Sequence, residues 1–269
     1  AQDAYLTQDE QGQACFIPSL IGETLGQLAA WNVMQHNGFT LRPVAGVVSS
    51  AQLHRPAYVG ETLLLESYID SVDDTAVQYH SLARVNQELV FSIEGALGPL
   101  LPMDDFIDNA IIQQQFAEIY TLDKPSSREI NTTDFSTSKQ IVAPMTFDKI
   151  ISSQPGLAMT AEKQIRADAS YFPDHFPKKP VLPLTVLLEC KLNLAKEFVR
   201  QAGFTNSYQV TEFRKIKMSE FVQPGAVLLC SLKVKEHNEQ QLILNFKSEV
   251  NDKRVCVVDV VLHAKGKSL

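Results

Sequence analysis

The stretch 171–190, YFPDHFPKKPVLPLTVLLEC, decides how the chain is read. Pro173, Pro177, Pro180 and Pro183 fix the backbone at four points, so the segment is a stiff loop until the last proline is passed. His175 sits inside that loop. Behind it an apolar helical pattern runs over 184–201 and carries one carboxylate, Glu189, in its apolar part. A carboxylate on such a helix needs a partner or a task, because burying it unpaired is costly.

Working outward, strand-like runs follow the helix at 207–221, 226–236, 240–250 and 253–264. They are separated by Pro224-Gly225, His237-Asn238 and Asn251-Asp252. The first half repeats this order. Residues 20–36, LIGETLGQLAAWNVMQH, place Leu25, Leu28, Ala29 and Val33 at helical spacing, with further apolar residues on the other faces, which predicts a buried helix. Strands are predicted at 42–57, 62–72, 75–86 and 88–100.

Two anchors support a duplication. YVGETLLLES (58–67) and VQPGAVLLCS (222–231) align on their glycines at an offset of 225 − 60 = 165. The helical segments starting at Glu23 and Glu189 align at 189 − 23 = 166. The predicted fold class is α+β, two units in which a curved antiparallel sheet wraps one long buried helix. The units are expected over 1–102 and 141–269, joined by a polar linker over 103–140 with a short helix at 108–119. The second unit has an entry segment, with a short helix near 147–152 and a strand near 158–169. The first unit has too little sequence to match all of it.

Composition excludes several classes. With 269 residues, 45% hydrophobic and 20% charged, the chain can bury a core. A net charge of −7 argues against non-specific nucleic-acid binding, and no apolar run has the length to span a bilayer. Cys15, Cys190, Cys230 and Cys256 are widely spaced, which favours buried free thiols in a reducing, cytoplasmic setting over a disulfide or metal site. The six histidines show no metal-ligand spacing. The absent initiator Met fits a processed chain or a domain excised from something longer.

The pattern H-F-P-x-x-P-V-x-P-G-x-L-x-x-E characterises the β-hydroxyacyl-(acyl carrier protein) dehydratases, and this sequence resembles it. It matches at His175, Phe176, Pro177, Pro180, Val181, Pro183 and Glu189, has Leu187 one place late, and carries Leu184 where the family has glycine. The first-half stretch LIGETLGQLAAWNVMQ…RPVAGV also looks like dehydratase domains of polyunsaturated fatty-acid and polyketide-type synthases. The resemblance implies the hotdog fold, here as a tandem double hotdog. It implies dehydration of a β-hydroxyacyl thioester to the trans-2-enoyl thioester in fatty-acid or polyketide biosynthesis. The implied partner is acyl carrier protein, whose phosphopantetheine bears the substrate, with no other cofactor and no metal. A homodimer and a place in a multienzyme are both compatible with it.

In that family the histidine of one hotdog faces the helix acid of its neighbour, so the resemblance implies that His175 works with Glu23 rather than with Glu189. Gln27, four residues after Glu23, shares its helix face and can orient the carboxylate. Fourteen residues before Glu23 stands Asp9 instead of histidine, since 23 − 14 = 9. The reading is therefore one live site, His175 with Glu23, and one degenerate site around Glu189 and Asn193. Neutral His175 would take the α proton, Glu23 would protonate the departing hydroxyl, and the backbone N–H of Leu184 would stabilise the thioester oxygen.

Blander readings stand beside these. His175 could be a structural hydrogen bonder, and either glutamate a structural pair. Lys178 and Lys179 are solvated loop charges or the carrier-binding site, with Arg214, Lys215 and Lys217 a second candidate. Trp31, Met34 and Phe39 are core or acyl-tunnel lining. Two other functions remain open: a hotdog thioesterase using the helix carboxylate and water, and a non-catalytic acyl-binding pseudo-dehydratase.

Overall fold

The computed structural model describes residues 5–9, 11–120, 144–204 and 206–265. A short hairpin, β1 (Leu6–Gln8) and β2 (Ala14–Phe16), precedes helix α1 (Pro18–His36). Pro18 opens α1 in the first turn, where its missing N–H costs nothing. After α1 come β3 (Leu41–Pro43), β4 (Val47–Leu53), β5 (Leu64–Val72), β6 (Ala76–Val85) and β7 (Glu88–Pro102). A 3-10 turn at Met103–Asp105 leads to α2 (Asn109–Ile119). Beyond the linker lie β8 (Lys149–Gln154), β9 (Ala158–Gln164), α3 (Leu184–Ala202), β10 (Tyr208–Met218), β11 (Val227–His237), β12 (Gln241–Val250) and β13 (Lys253–Ala264). α3 stops at Gly203, whose φ of 65° is the left-handed cap a glycine adopts without penalty.

The duplication appears as sheet topology. One antiparallel sheet runs β5-β6-β7-β4-β10-β13-β12-β11-β9-β8, with β3 added alongside β7. The order 5-6-7-4 mirrors 11-12-13-10, and the halves join where β4 pairs β10, from Val47 opposite Lys217 to Gln52 opposite Glu212. α1 packs on the first half-sheet and α3 on the second, and the two helices touch. One core runs through both halves, from Leu25 and Phe91 to Leu192, Phe198 and Phe246.

Three expectations need correction. The segment near 147–152 forms strand rather than helix. Ile150, Ser152, Ser153 and Gln154 of β8 pair with β9, and the partner edge decides a run too short for periodicity to assign. The strand expected over 42–57 is split into β3 and β4, because backbone at Gly46 approaches β7 closely: a side chain there would meet the Leu97 carbonyl at 2.6 Å. Burial all round holds for α3, where every residue from Thr185 to Leu192 is buried. In α1 it fails on the side of Gly22, Glu23, Gly26 and Gln27, which borders a cavity. The predicted linker helix is α2. Residues 121–140 of the expected linker lie outside the described residues.

Candidate active site

The starts of α1 and α3 meet antiparallel, and each helix reaches across to the other's acid. Thr185 Oγ1 donates to Glu23 Oε2 at 2.7 Å, and Ser19 Oγ donates to Glu189 Oε2 at 2.8 Å. The hydroxyls are related by the same offset as the acids, 185 − 19 = 166 and 189 − 23 = 166. Each unit therefore carries a hydroxyl one helical turn before its own acid and uses it to hold the acid of the other unit. The two halves differ in what comes next. Gln27 Nε2 donates to Glu23 Oε1 at 2.8 Å, so both Glu23 oxygens are held. The shorter Asn193 amide turns away and donates to the Met145 carbonyl at 2.8 Å.

The proline loop brings His175 to Glu23. Its backbone is pinned at both ends, with Lys178 N–H donating to the Phe106 carbonyl just after β7 at 2.9 Å and Leu182 N–H to the Val222 carbonyl of the second unit at 2.8 Å. The His175–Phe176 peptide is cis. His175 Nδ1 lies 3.2 Å from the Val181 carbonyl oxygen. A carbonyl can only accept, so Nδ1 carries the proton and Nε2 of the neutral ring is left with its lone pair. Burial pulls the His175 pKa below its ordinary value, with the Glu23 carboxylate and the Val181 bond working against that and Arg42 adding to it. The imidazole is thus neutral at pH 7, as a base must be.

His175 and Glu23 line one cavity of about 380 Å³, together with Gln27, Thr185, Leu184 and Arg42. Leu184 is the first residue of α3, so its N–H is one of the donors that a helix start leaves without an internal partner. Leu184 lines the cavity at the place where the dehydratase pattern has glycine, and its side chain packs against the neighbouring core. Arg42, on β3, is 7% exposed. Its guanidinium lies over the Phe176 ring at 4.2 Å, and burial draws its pKa down to about 10 while Glu23 holds it up.

Glu189 is absent from the cavity lining. Burial raises its pKa, with Ser19 and Lys196 opposing. The position related to His175 by the repeat offset is Asp9, since 175 − 166 = 9. Asp9 accepts the backbone N–H groups of Gln11 and Gln13 at 2.9 and 2.8 Å and the Tyr58 hydroxyl at 3.0 Å. It is a turn former there. No histidine stands at that position, and Glu189 is held by Ser19 as Glu23 is held by Thr185.

The basic candidates are more constrained than the sequence suggested. Lys178 pairs with Asp108, and Lys179 lies over the Phe106 and Phe221 rings at 5.1 Å. Arg214 pairs with Glu212, Lys215 sits at a bulge with φ 52°, and Lys217 pairs in register with Val47. Trp31 and Phe39 pack against Phe116 of α2, and Met34 is fully buried, so all three belong to the core. Sequence reasoning missed Ser19, Thr185 and Arg42. The hydroxyl four residues before each acid was a detectable signal. Nothing distinguished Arg42.

A long helix wrapped by an antiparallel sheet, twice over and joined edge to edge, is the double-hotdog fold, with a histidine and an acid from different halves on one cavity. The same fold recurs in solved structures. A MaoC-like dehydratase matches with a TM-score of 0.58 and 12% identity over 93% of this chain and 84% of that one. An acyl-ACP thioesterase from Bacteroides thetaiotaomicron matches with a TM-score of 0.54 and 13% identity over 96% and 95%.

Sequence likeness narrows the class. Residues 152–259 match the family model of the ApeI-like dehydratases. The 3-hydroxyacyl-[acyl-carrier-protein] dehydratase FabZ of Lactiplantibacillus plantarum is 25% identical over 42% of this chain and 78% of the relative. FabZ of Pediococcus pentosaceus is 24% identical over 49% and 90%. The chain is thus similar in fold to solved hotdog proteins and, over part of its length, similar in sequence to hotdog dehydratases. Among the described residues no helix is long and apolar enough to cross a membrane.

Proposed function

We propose that the chain dehydrates a β-hydroxyacyl thioester at a single site between its two units, with His175 as base and Glu23 as acid. The units are taken as 1–102 and 141–269, joined through 103–140. The observation that carries the proposal is the convergence of two differently prepared groups on one cavity: an imidazole whose Nδ1 faces the Val181 carbonyl, and a carboxyl held by Thr185 and Gln27.

His175 Nε2 takes the proton α to the thioester carbonyl, and the electrons of that C–H bond form the new double bond. The β C–O bond breaks, and its oxygen leaves as water with a proton from Glu23. Passing the proton from imidazolium to carboxylate resets the pair. Charge that develops on the thioester oxygen is met by the Leu184 N–H at the positive end of α3. Thr185 and Gln27 position Glu23 through their hydrogen bonds to its two oxygens. The carrier is acyl carrier protein, as the names of the FabZ relatives suggest, and its phosphopantetheine is the only prosthetic group involved. The pairing of Lys178 with Asp108 makes Lys179 the better first contact for the carrier.

Incubation with a 3-hydroxyacyl thioester tests the reading. Growth of enoyl absorbance supports it. Release of free thiol would make the protein a thioesterase, and binding without turnover an acyl-binding pseudo-enzyme; either result overturns it.

A further inference from the structure

Arg42 has no place in the chemistry above, yet keeping its charge buried is costly. Its side chain is 7% exposed, its Nε has no hydrogen-bond partner, and its one bond among the described residues is from Nη1 to the Met34 sulfur at 3.8 Å, a weak acceptor. It forms no ion pair among the described residues. A buried cation is ordinarily paired, and an unpaired one is strongly disfavoured. Arg42 lines the cavity, its guanidinium stacks on the cavity-lining Phe176, and it remains protonated at neutral pH.

Its position relative to the reacting pair can be bounded. Arg42 lies 4.2 Å from the centre of the Phe176 ring, and that ring lies 4.2 Å from the centre of the His175 ring. Two such steps set an upper limit on the separation of guanidinium and imidazole. That limit is too short for the phosphate at the far end of a pantetheine arm whose thioester lies beside His175. The thioester oxygen, in turn, is directed to the start of α3, where Leu184 stands and Thr185 meets Glu23. Arg42 is displaced from that point in the other sense, since it reaches Met34, eleven residues beyond Glu23 on α1. Along α1 the cavity lining includes Gly22, Gly26, Ala29 and Ala30, where an absent or small side chain leaves room beside the helix.

We propose that Arg42 is a specificity-determining residue that receives a carboxylate at the distal end of the acyl chain. A carboxylate offers two acceptor oxygens to the guanidinium fork and supplies the charge it lacks. This deepens the dehydratase reading and rests on it for the orientation of the substrate. Its test needs no turnover.

The test is calorimetric binding of saturated acyl N-acetylcysteamine thioesters, which cannot be dehydrated, to the full chain. Three probes of equal chain length end in carboxylate, carboxamide and methyl. Wild type is expected to bind the carboxylate about tenfold or more tighter than the methyl probe, with the amide between. Arg42→Met should abolish that preference and leave the methyl probe within about twofold of wild type, while Arg42→Lys keeps part of it. A role confined to packing predicts instead that Arg42→Met weakens all three probes alike, which overturns the proposal. So does a wild type that shows no preference, a result that requires no variant to fold. Pantetheine thioesters with and without the 4′-phosphate form a second arm. An Arg42-dependent gain from the phosphate would assign the residue to the carrier arm and refute the acyl assignment. Selective binding in a protein that releases no enoyl product would sink the dehydratase reading alone.

Discussion

The reciprocal hydroxyls at the helix starts provide a paired perturbation whose members should behave oppositely. Thr185 and Ser19 occupy equivalent positions, make hydrogen bonds of 2.7 and 2.8 Å, and hold carboxylates of comparable placement on facing helices. Only Thr185 holds an acid that lines the cavity with His175. Thr185→Val keeps the shape and removes the donor to Glu23. A hydrogen bond to a charged group is worth about 1.5–3 kcal/mol. If half or more of that bond is expressed in the transition state, kcat falls roughly 3- to 150-fold, at tenfold per about 1.4 kcal/mol. KM should change little, because Thr185 positions the acid and leaves uniform binding intact. Thr185→Ser should restore most of the loss. Ser19→Ala breaks the equivalent bond to Glu189 and should leave kcat within about twofold while lowering stability by about 1–3 kcal/mol. The assay is enoyl formation from a 3-hydroxyacyl thioester, with thermal melts on each variant. The reasoning fails if Ser19→Ala loses as much activity as Thr185→Val, or if a folded Thr185→Val is indistinguishable from wild type.

Other outcomes follow from the same geometry. His175→Ala and Glu23→Gln should each lower kcat by about 10²–10⁴-fold, and the double variant should be little worse than either, because both groups serve one transition state; additive losses in single-turnover kinetics would count against this. Because burial lowers the His175 pKa, the acid limb of kcat/KM should fall below pH 6.5, and a limb above that value contradicts the neutral buried ring. Glu189→Gln should keep most activity. Because burial raises the Glu189 pKa, its contribution is favourable below the ordinary carboxyl pKa and is lost as pH rises through the raised one, so the glutamine variant should melt higher than wild type at pH 8 and no higher at pH 4. Lys179→Gln should weaken productive use of carrier-bound substrate, more at low salt than at high, without altering turnover of an N-acetylcysteamine thioester. Reversing Lys178 is a poorer test, since it would set a second carboxylate against Asp108.

The sequence alone carried the duplication and the kind of fold. Apolar residues on most faces of two helices, followed each time by strands broken at turn residues, leave a wrapped helix as the economical way to bury them, and Gly60 and Gly225 fixed the register of the two copies. The sequence also located the stiff loop around His175, because proline restricts the backbone wherever it stands. Other features depended on contacts distant in the chain. Strand β8 exists because β9 offers it an edge, and KIISSQ by itself carries no period that selects strand over helix. The family pattern set Glu23 with Gln27 apart from Glu189 with Asn193, but it carried no geometry for either acid. That geometry comes from the antiparallel docking of α1 on α3, which leaves Glu23 on the cavity and Glu189 held by Ser19 outside its lining. Arg42 reads as an ordinary surface arginine before a proline. Only the packing of the His175 loop over β3 removes it from water and leaves it on the cavity without a salt-bridge partner among the described residues, since burial and pairing are properties of neighbours that the local sequence does not contain.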